Sequence, residues 1–154
     1  MLGRVAFRAG SRRPEHGLQA KASKKWRVTK TKRSLWPFAE TVARLSAAIA
    51  DAGNTVFATI DQSAAARGVG LTLRPTTLIV FGNPRGGTPL MDAFPLVALE
   101  LPLKIAVWEE DGSVNVTYEP VSELAARYEV SGMDARIAAM DAALEALTGV
   151  LSTQ

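Results

Sequence analysis

An apolar run at residues 76–81, which ends at the turn-forming triplet 82–84, limits the fold of this chain more than any other stretch. A continuous apolar run followed by Gly, Asn and Pro predicts a strand that is covered on both faces. We expect helices on one face and a second copy of the chain on the other. A small glycine-rich loop at residues 85–87 follows, and Thr88-Pro89 is expected to open a short helix.

Periodicity along the rest of the chain predicts an α+β domain. Apolar residues recur at helical spacing in some segments, and β-branched or aromatic runs mark strands in others. Strands joined by short links favour a two-layer, mostly antiparallel sheet with helices on one face. The predicted strands are residues 26–33, 55–60, 76–81, 103–109 and 113–118, and the predicted helices are residues 38–52, 62–67, 89–99, 121–128 and 133–151.

Charge is divided unevenly along the chain. Residues 1–33 contain eleven of the 18 Lys and Arg and one acidic residue, so they carry +10, whereas the remainder carries −7. Low apolar content predicts a disordered basic arm over residues 1–33, and residues 34–154 are expected to form a single domain. Three roles fit the arm: a solvated tail, an organelle-targeting segment, or an electrostatic contact for nucleic acid or anionic lipid. Nucleic acid is the weakest of these, because only Trp26 is available to stack on a base.

Composition excludes several classes of function. The chain has no cysteine and one histidine, His16, which lies in the basic arm. Disulfides, thiol catalysis and thiolate metal sites are therefore excluded, and neither a metal nor another cofactor is expected. No run approaches the ~18 apolar residues of a membrane helix. A cytoplasmic location is expected, and organelle targeting by the arm is left open.

The glycine-rich loop is the first candidate ligand site. Gly87 allows close backbone approach, Arg85 supplies positive charge, and the helix start at Thr88 offers N–H groups to an anion or small ligand. Asn83, at the end of the predicted strand, is a further polar contact. A structural loop with a turn at residues 83–84 explains the same residues, and no phosphate-binding motif is present.

Polar residues elsewhere are candidate bases or ligand contacts. Asp61 follows a predicted strand, where it can orient a ligand, act as a general base, or cap the next helix. Gln62 lies beside it, and Glu100 is the second candidate base. Arg74 precedes the strand predicted at residues 76–81 and is expected to pair with Asp61 or Glu100, or to contact a ligand.

Several of these segments resemble the domain of unknown function 302 family, from about residue 33 to the C-terminus. The matching pieces include Leu73-Arg74-Pro75-Thr76, Phe81-Gly82-Asn83-Pro84, Gly87-Thr88-Pro89-Leu90-Met91, Leu101-Pro102-Leu103 and Val107-Trp108. The resemblance implies a two-layer α+β fold similar in topology to a half of the TATA-binding protein, a homodimer, and no established activity. Gln62 stands where the family usually has histidine, and Glu100 where it usually has aspartate. A histidine base or metal ligand at that position is therefore missing from this chain.

Three hypotheses for function remain open. The first is a non-catalytic homodimer that is structural or binds a small anionic or polar ligand near Asp61, Arg74, Asn83 and the glycine-rich loop. The second is a hydrolase-like or lyase-like enzyme that uses Asp61 or Glu100 as its base. The third is contact with nucleic acid or lipid through the basic arm.

Overall fold

A computed structural model describes residues 28–152, which form one antiparallel sheet and the helices packed on it. The five strands lie in the order β1-β5-β4-β3-β2, and every neighbouring pair is antiparallel. This arrangement confirms the predicted α+β class. The strands are β1 (Lys30–Arg33), β2 (Thr55–Asp61), β3 (Thr76–Gly82), β4 (Leu103–Glu110) and β5 (Ser113–Tyr118). The helices are α1 (Phe38–Asp51), α2 (Gln62–Gly68), α3 (Pro84–Ala93), the short 3-10 helix Pro95–Leu99, α4 (Val121–Arg127) and α5 (Asp134–Gly149).

One face of the sheet holds the main core. Alternate strand residues point to this face, because side chains alternate across a strand with a period of two. Helices α1 and α5 cover it with apolar residues at helical spacing, which on α5 include Ile137, Leu144 and Leu147. The fully buried side chains of this core include Leu45, Ile49, Ile79, Phe81, Ile105, Val107, Val116 and Leu144.

The opposite face of the sheet is not covered within residues 28–152. Leu78 and Val80 on β3 lie on this face and are only half-buried, whereas Ile79 between them is fully buried. The register pairs Leu78 with Ala106 on β4, so the apolar surface continues onto the neighbouring strand. We expected the strand at residues 76–81 to be covered on both faces, but within residues 28–152 only the face that packs on the helices is covered. Cover by a second copy stays a prediction.

The sheet begins before the predicted domain boundary at residue 34. Lys30–Arg33 form β1, which pairs with β5 at the edge of the sheet, so these residues belong to the folded unit. Lysines at an edge strand discourage pairing with other chains. The rest of the basic arm, residues 1–27 with His16 and Trp26, lies outside the described residues.

Edge strand β1 is tied to helix α5 through one carboxylate. Glu145 accepts hydrogen bonds from Lys32 Nζ at 2.6 Å and from the Tyr118 hydroxyl at 2.7 Å. The lysine contact, followed by the tyrosine hydrogen bond, lowers the pKa of Glu145 from 4.5 to about 2. Burial, together with the same carboxylate, raises the pKa of Tyr118 to about 12.

This shifted carboxyl group predicts a pH-dependent contribution to stability. Because the folded pKa of Glu145 lies below its ordinary value of 4.5, its contribution is present above that pH and is lost as pH falls towards about 2. A Glu145→Gln variant lacks this titration. The difference in unfolding free energy between wild type and variant should therefore shrink through that window, measured by urea unfolding at each pH. A difference that stays constant would show that Glu145 does not titrate as its contacts require.

Candidate functional site

The residues expected to form a glycine-rich loop are the first turns of helix α3. The helix begins at Pro84, and Asn83 is its N-cap, with the Asn83 side-chain oxygen 3.0 Å from the Arg85 backbone nitrogen. Proline is favoured at the first helical position, because its missing N–H costs nothing there. The Asn83 backbone carbonyl accepts hydrogen bonds from Gly86 and Gly87 at 2.9 and 3.0 Å. The first N–H groups of α3 are thus already engaged, which weakens the expectation that this segment cradles an anion.

Of the two glycines, Gly87 packs closely against the segment that leads into β4, whereas Gly86 faces open space. A Cβ atom placed on Gly87 would lie 3.3 Å from Leu101 Cδ1 and 3.8 Å from Met91 Cε. The 3.3 Å distance is tighter than ordinary van der Waals contact, so a side chain at this position would require Leu101 to shift by a few tenths of an ångström. Gly87 therefore allows α3 to lie close to Leu101 beside the adjoining cavity.

A cavity of about 360 Å³ lies where β3 ends and β4 begins, between α3 and α5. Its volume is at the lower end of the range for small-molecule sites. Most of the wall is apolar, and no charged side chain from residues 28–152 contributes to it. The apolar lining includes Phe57, Phe81, Met91, Leu101, Met140 and Leu147. The polar lining is Asn54, Asn83 and Thr88.

Two parts of this wall were not identified from the sequence as site residues. Phe57 lies at the point where the β2–β3 register shifts, between Val56 and Ala58. Such a bulge interrupts the regular alternation of side chains across the sheet. Phe57 lines the cavity, although the residue is 54% exposed. On α5, Met140 and Ala143 belong to the wall as well. Met140 is flexible and Ala143, one turn away, is small. This combination is the sequence signal that the apolar face of α5 borders a space as well as the core.

The structure brings only part of the predicted ligand set together. Asn83, Gly87 and Thr88 line the cavity. Arg85 lies on α3 beside it, but the arginine side chain is exposed and does not contribute to the wall. The remaining predicted contacts, Asp61, Gln62, Arg74 and Glu100, lie outside the cavity.

Asp61 and Gln62 are at the other end of the sheet. Asp61 pairs with Thr77 at the start of β3, whereas Gly82 at the end of β3 pairs with Thr55. The separation along the strand is about 20 Å at the usual rise per residue. A ligand in the cavity of this structure does not reach Asp61 or Gln62.

The contacts of Asp61 are those of a helix cap. The Asp61 carboxylate accepts hydrogen bonds from the Ala64 backbone N–H and the Ser63 hydroxyl, both at 2.7 Å. These bonds, led by the one from Ala64, lower the pKa of Asp61. A general base working near neutral pH needs the opposite shift. The predicted capping role is therefore the one that the geometry supports.

Arg74 and Glu100 are both engaged in ion pairs, but not in the pairing expected from the sequence. Arg74 contacts Glu110 on the β4–β5 hairpin, so its expected pairing with Asp61 or Glu100 is wrong. Glu100 accepts hydrogen bonds from Arg127 Nη1 at 3.0 Å and from the Tyr128 hydroxyl at 3.1 Å. Arg127 also contacts Glu119, which makes a half-buried cluster of two carboxylates around one guanidinium.

Neither a metal centre nor a membrane helix is apparent between residues 28 and 152. No group of three or more His, Asp or Glu side chains in that part of the chain is arranged to hold a metal ion. No helix there combines the length and apolar character needed to cross a membrane. Residues 1–27, on which the arm hypotheses depend, are not among the described residues, so nucleic-acid or lipid contact through them stays a prediction.

The fold and the cavity define an α+β domain with an antiparallel sheet, helices on one face and a small-molecule-sized site at one sheet end. A family model described as "Domain of unknown function DUF302" matches residues 29–151, and the chain belongs to this family. The crystal structure of an uncharacterized conserved DUF302 protein from Bacillus stearothermophilus is similar, with a TM-score of 0.74 at 19% identity. That similarity covers 80% of this chain and 97% of the other, and it shows a shared fold.

Curated relatives of the chain carry the name of a membrane transport protein. The fluoride-specific ion channels FluC 1 of Brucella suis and of Brucella abortus are each 39% identical to this chain over 104 residues. The match covers 66% of this chain but 41% and 38% of those two proteins. The chain therefore spans about two fifths of the length of these relatives.

Proposed function

We propose that this chain is a non-catalytic domain that binds a small, largely apolar molecule in the cavity between α3 and α5. The observation that carries the proposal is the cavity of about 360 Å³, whose wall is apolar except for three polar side chains at 54, 83 and 88. A site of this kind binds through burial of apolar surface, at about 25 cal/mol per Å², with a few polar groups that orient the ligand. The proposed site is therefore the apolar cavity, and not the backbone N–H groups of the glycine-rich segment, which are already engaged.

We do not propose the channel activity named for the Brucella relatives as the function of this chain. Fluoride is a small anion that needs several hydrogen-bond donors, and the N–H groups at the start of α3 already donate to Asn83. The enzyme hypothesis is not proposed either, since Asp61 and Glu100 lie outside the cavity and are held by other groups. A cytoplasmic location remains a prediction from the sequence.

We also propose that the chain forms a homodimer through the uncovered face of the sheet. Alternate residues of β3 and β4 place Leu78, Val80, Ala106 and Trp108 on that face, and none of them is fully buried. Lys104 and Glu110 lie on the same face at opposite ends of β4. A two-fold axis across the strands would bring the two apolar patches together and place each Lys104 opposite the Glu110–Arg74 ion pair of the second copy, which is a self-complementary, isologous arrangement.

Filling the cavity from α5 tests the binding proposal. Ala143 lines the cavity, so Ala143→Phe places an aromatic ring in the ligand space. The fluorescent apolar probe N-phenyl-1-naphthylamine should bind wild type, and the variant should bind it at least about ten-fold more weakly, as measured by fluorescence titration. Substituting Asn83 is less informative, because Asn83→Ala also removes the α3 cap, at a cost of about 1 kcal/mol.

Ala142→Phe is the matched control. Ala142 is an exposed neighbour on the same helix and does not line the cavity, so this change adds the same ring outside the ligand space. Probe affinity should then equal that of wild type. Equal binding by all three proteins, or no binding by wild type, would contradict the proposed site.

A further inference from the structure

A second depression on the α3–α5 surface adjoins the apolar cavity. This shallower groove shares Gly86, Met140 and Ala143 with the cavity, so the two spaces adjoin along one wall. The groove, unlike the cavity, is lined by the charged side chains Asp134 and Arg136. A ligand that fills the cavity and extends past Gly86 therefore meets a polar, charged environment at the surface.

Arg136 is held in place beside the cavity rim. Its Nη1 atom lies 3.0 Å from the Arg85 carbonyl oxygen and 3.4 Å from the Gly86 carbonyl oxygen. These two carbonyls belong to the first turn of α3, so they orient the guanidinium across the gap between α3 and α5. Bonds to neutral carbonyls leave the positive charge of the guanidinium uncompensated.

Three arginines within residues 28–152, Arg33, Arg85 and Arg136, have no carboxylate partner, and of these only Arg136 is half-buried. Arg44, Arg67, Arg74 and Arg127 each have a carboxylate oxygen within 4.0 Å. Arg136 makes no such ion pair within residues 28–152, even though Asp134 lines the same groove. An oriented, half-buried cation without a carboxylate partner is a suitable site for an anionic group.

From this arrangement we infer that the ligand is an amphiphile with one apolar chain and one carboxylate, whose head group pairs with Arg136. The inference rests on the proposed function, because the apolar chain must occupy the cavity. The cavity of about 360 Å³ has room for a single chain, not for a two-chain lipid. Asp134 in the groove disfavours a head group with more than one negative charge, which favours a carboxylate over a phosphate monoester.

The test compares two competitors that share a chain and differ in the head group. Decanoate, below its micelle-forming concentration, and 1-decanol, below its solubility limit, are used to displace N-phenyl-1-naphthylamine from the full chain in fluorescence titrations. Wild type should bind decanoate about ten-fold more tightly than 1-decanol, and added salt should reduce this preference. Arg136→Gln should lose the preference while its affinities for 1-decanol and for the probe stay within about two-fold of wild type.

Arg85→Gln is the matched control, because it removes the same charge from a side chain that lines neither space. It should keep the preference for decanoate. Equal affinities of wild type for decanoate and 1-decanol would overturn the inference. Loss of the preference in Arg85→Gln but not in Arg136→Gln would also overturn it, and would return the anion contact to Arg85. Failure of the probe itself to bind wild type would instead count against the proposed cavity site.

Discussion

Replacement of Arg127 by methionine should lower the free energy of unfolding by about 3 kcal/mol, because it removes one partner of a largely buried ion-pair cluster. Arg127 contacts both Glu100 and Glu119, whose side chains are 14% and 16% exposed. Methionine removes the cation and leaves two poorly hydrated carboxylates facing each other. The loss arises from these uncompensated charges and is measured by urea unfolding at neutral pH.

A triple variant separates charge from packing in this cluster. Adding Glu100→Gln and Glu119→Gln to Arg127→Met removes the uncompensated charges, and stability should return to within about 1 kcal/mol of wild type. Arg67→Met is the control, because Arg67 also lies in the last turn of a helix but is 66% exposed and 4.0 Å from Asp61. It should change stability by less than about 0.5 kcal/mol. A triple variant as unstable as Arg127→Met would show that packing, and not charge, holds the cluster.

Leu78→Lys should convert the proposed homodimer into a monomer. Leu78 lies near the middle of the uncovered sheet face, and a two-fold interface would bury two copies of the new charge close together. Mass measurement by light scattering after size-exclusion chromatography reports the change. Val80→Lys on the same face is an independent second variant with the same expected result.

Leu99→Lys controls for a general effect of surface charge on association. Leu99 lies on the short 3-10 helix and is 74% exposed. This variant should remain dimeric, and all three proteins should keep the circular dichroism of wild type. A wild type that is monomeric at high protein concentration would contradict the dimer. Dissociation caused by Leu99→Lys alone would place the interface elsewhere.

Local sequence patterns were sufficient for most of the fold. β-branched runs located β2, β3, β4 and β5, and the apolar spacing from residue 133 onward located α5 and its buried face. The cap at Asp61 followed from one residue type before a helical segment. These elements are determined by residues that are close together in the sequence, so the periodicity of apolar residues along the chain identifies them.

The site was harder to predict, because it depends on contacts between distant segments. The polar residues at strand ends were expected to meet, but antiparallel pairing puts the end of β2 beside the start of β3, so Asp61 and Asn83 are separated along the strand. Two adjacent glycines suggested a loop, although Asn83 and Pro84 supply the cap and first residue of a helix that tolerates them. Met140 lines the cavity and Arg136 lies at its rim only because of how α5 packs against α3, and local sequence does not specify that packing.

The central claim is that the space between α3 and α5 is a ligand site, and a crystal structure of the protein with N-phenyl-1-naphthylamine tests it most directly. We expect density for the probe in the cavity, in contact with Phe57, Met91 and Met140, and no such density in Ala143→Phe crystals grown with the same probe. Ordered water filling the cavity of wild type, or probe bound at another surface in both proteins, would contradict it.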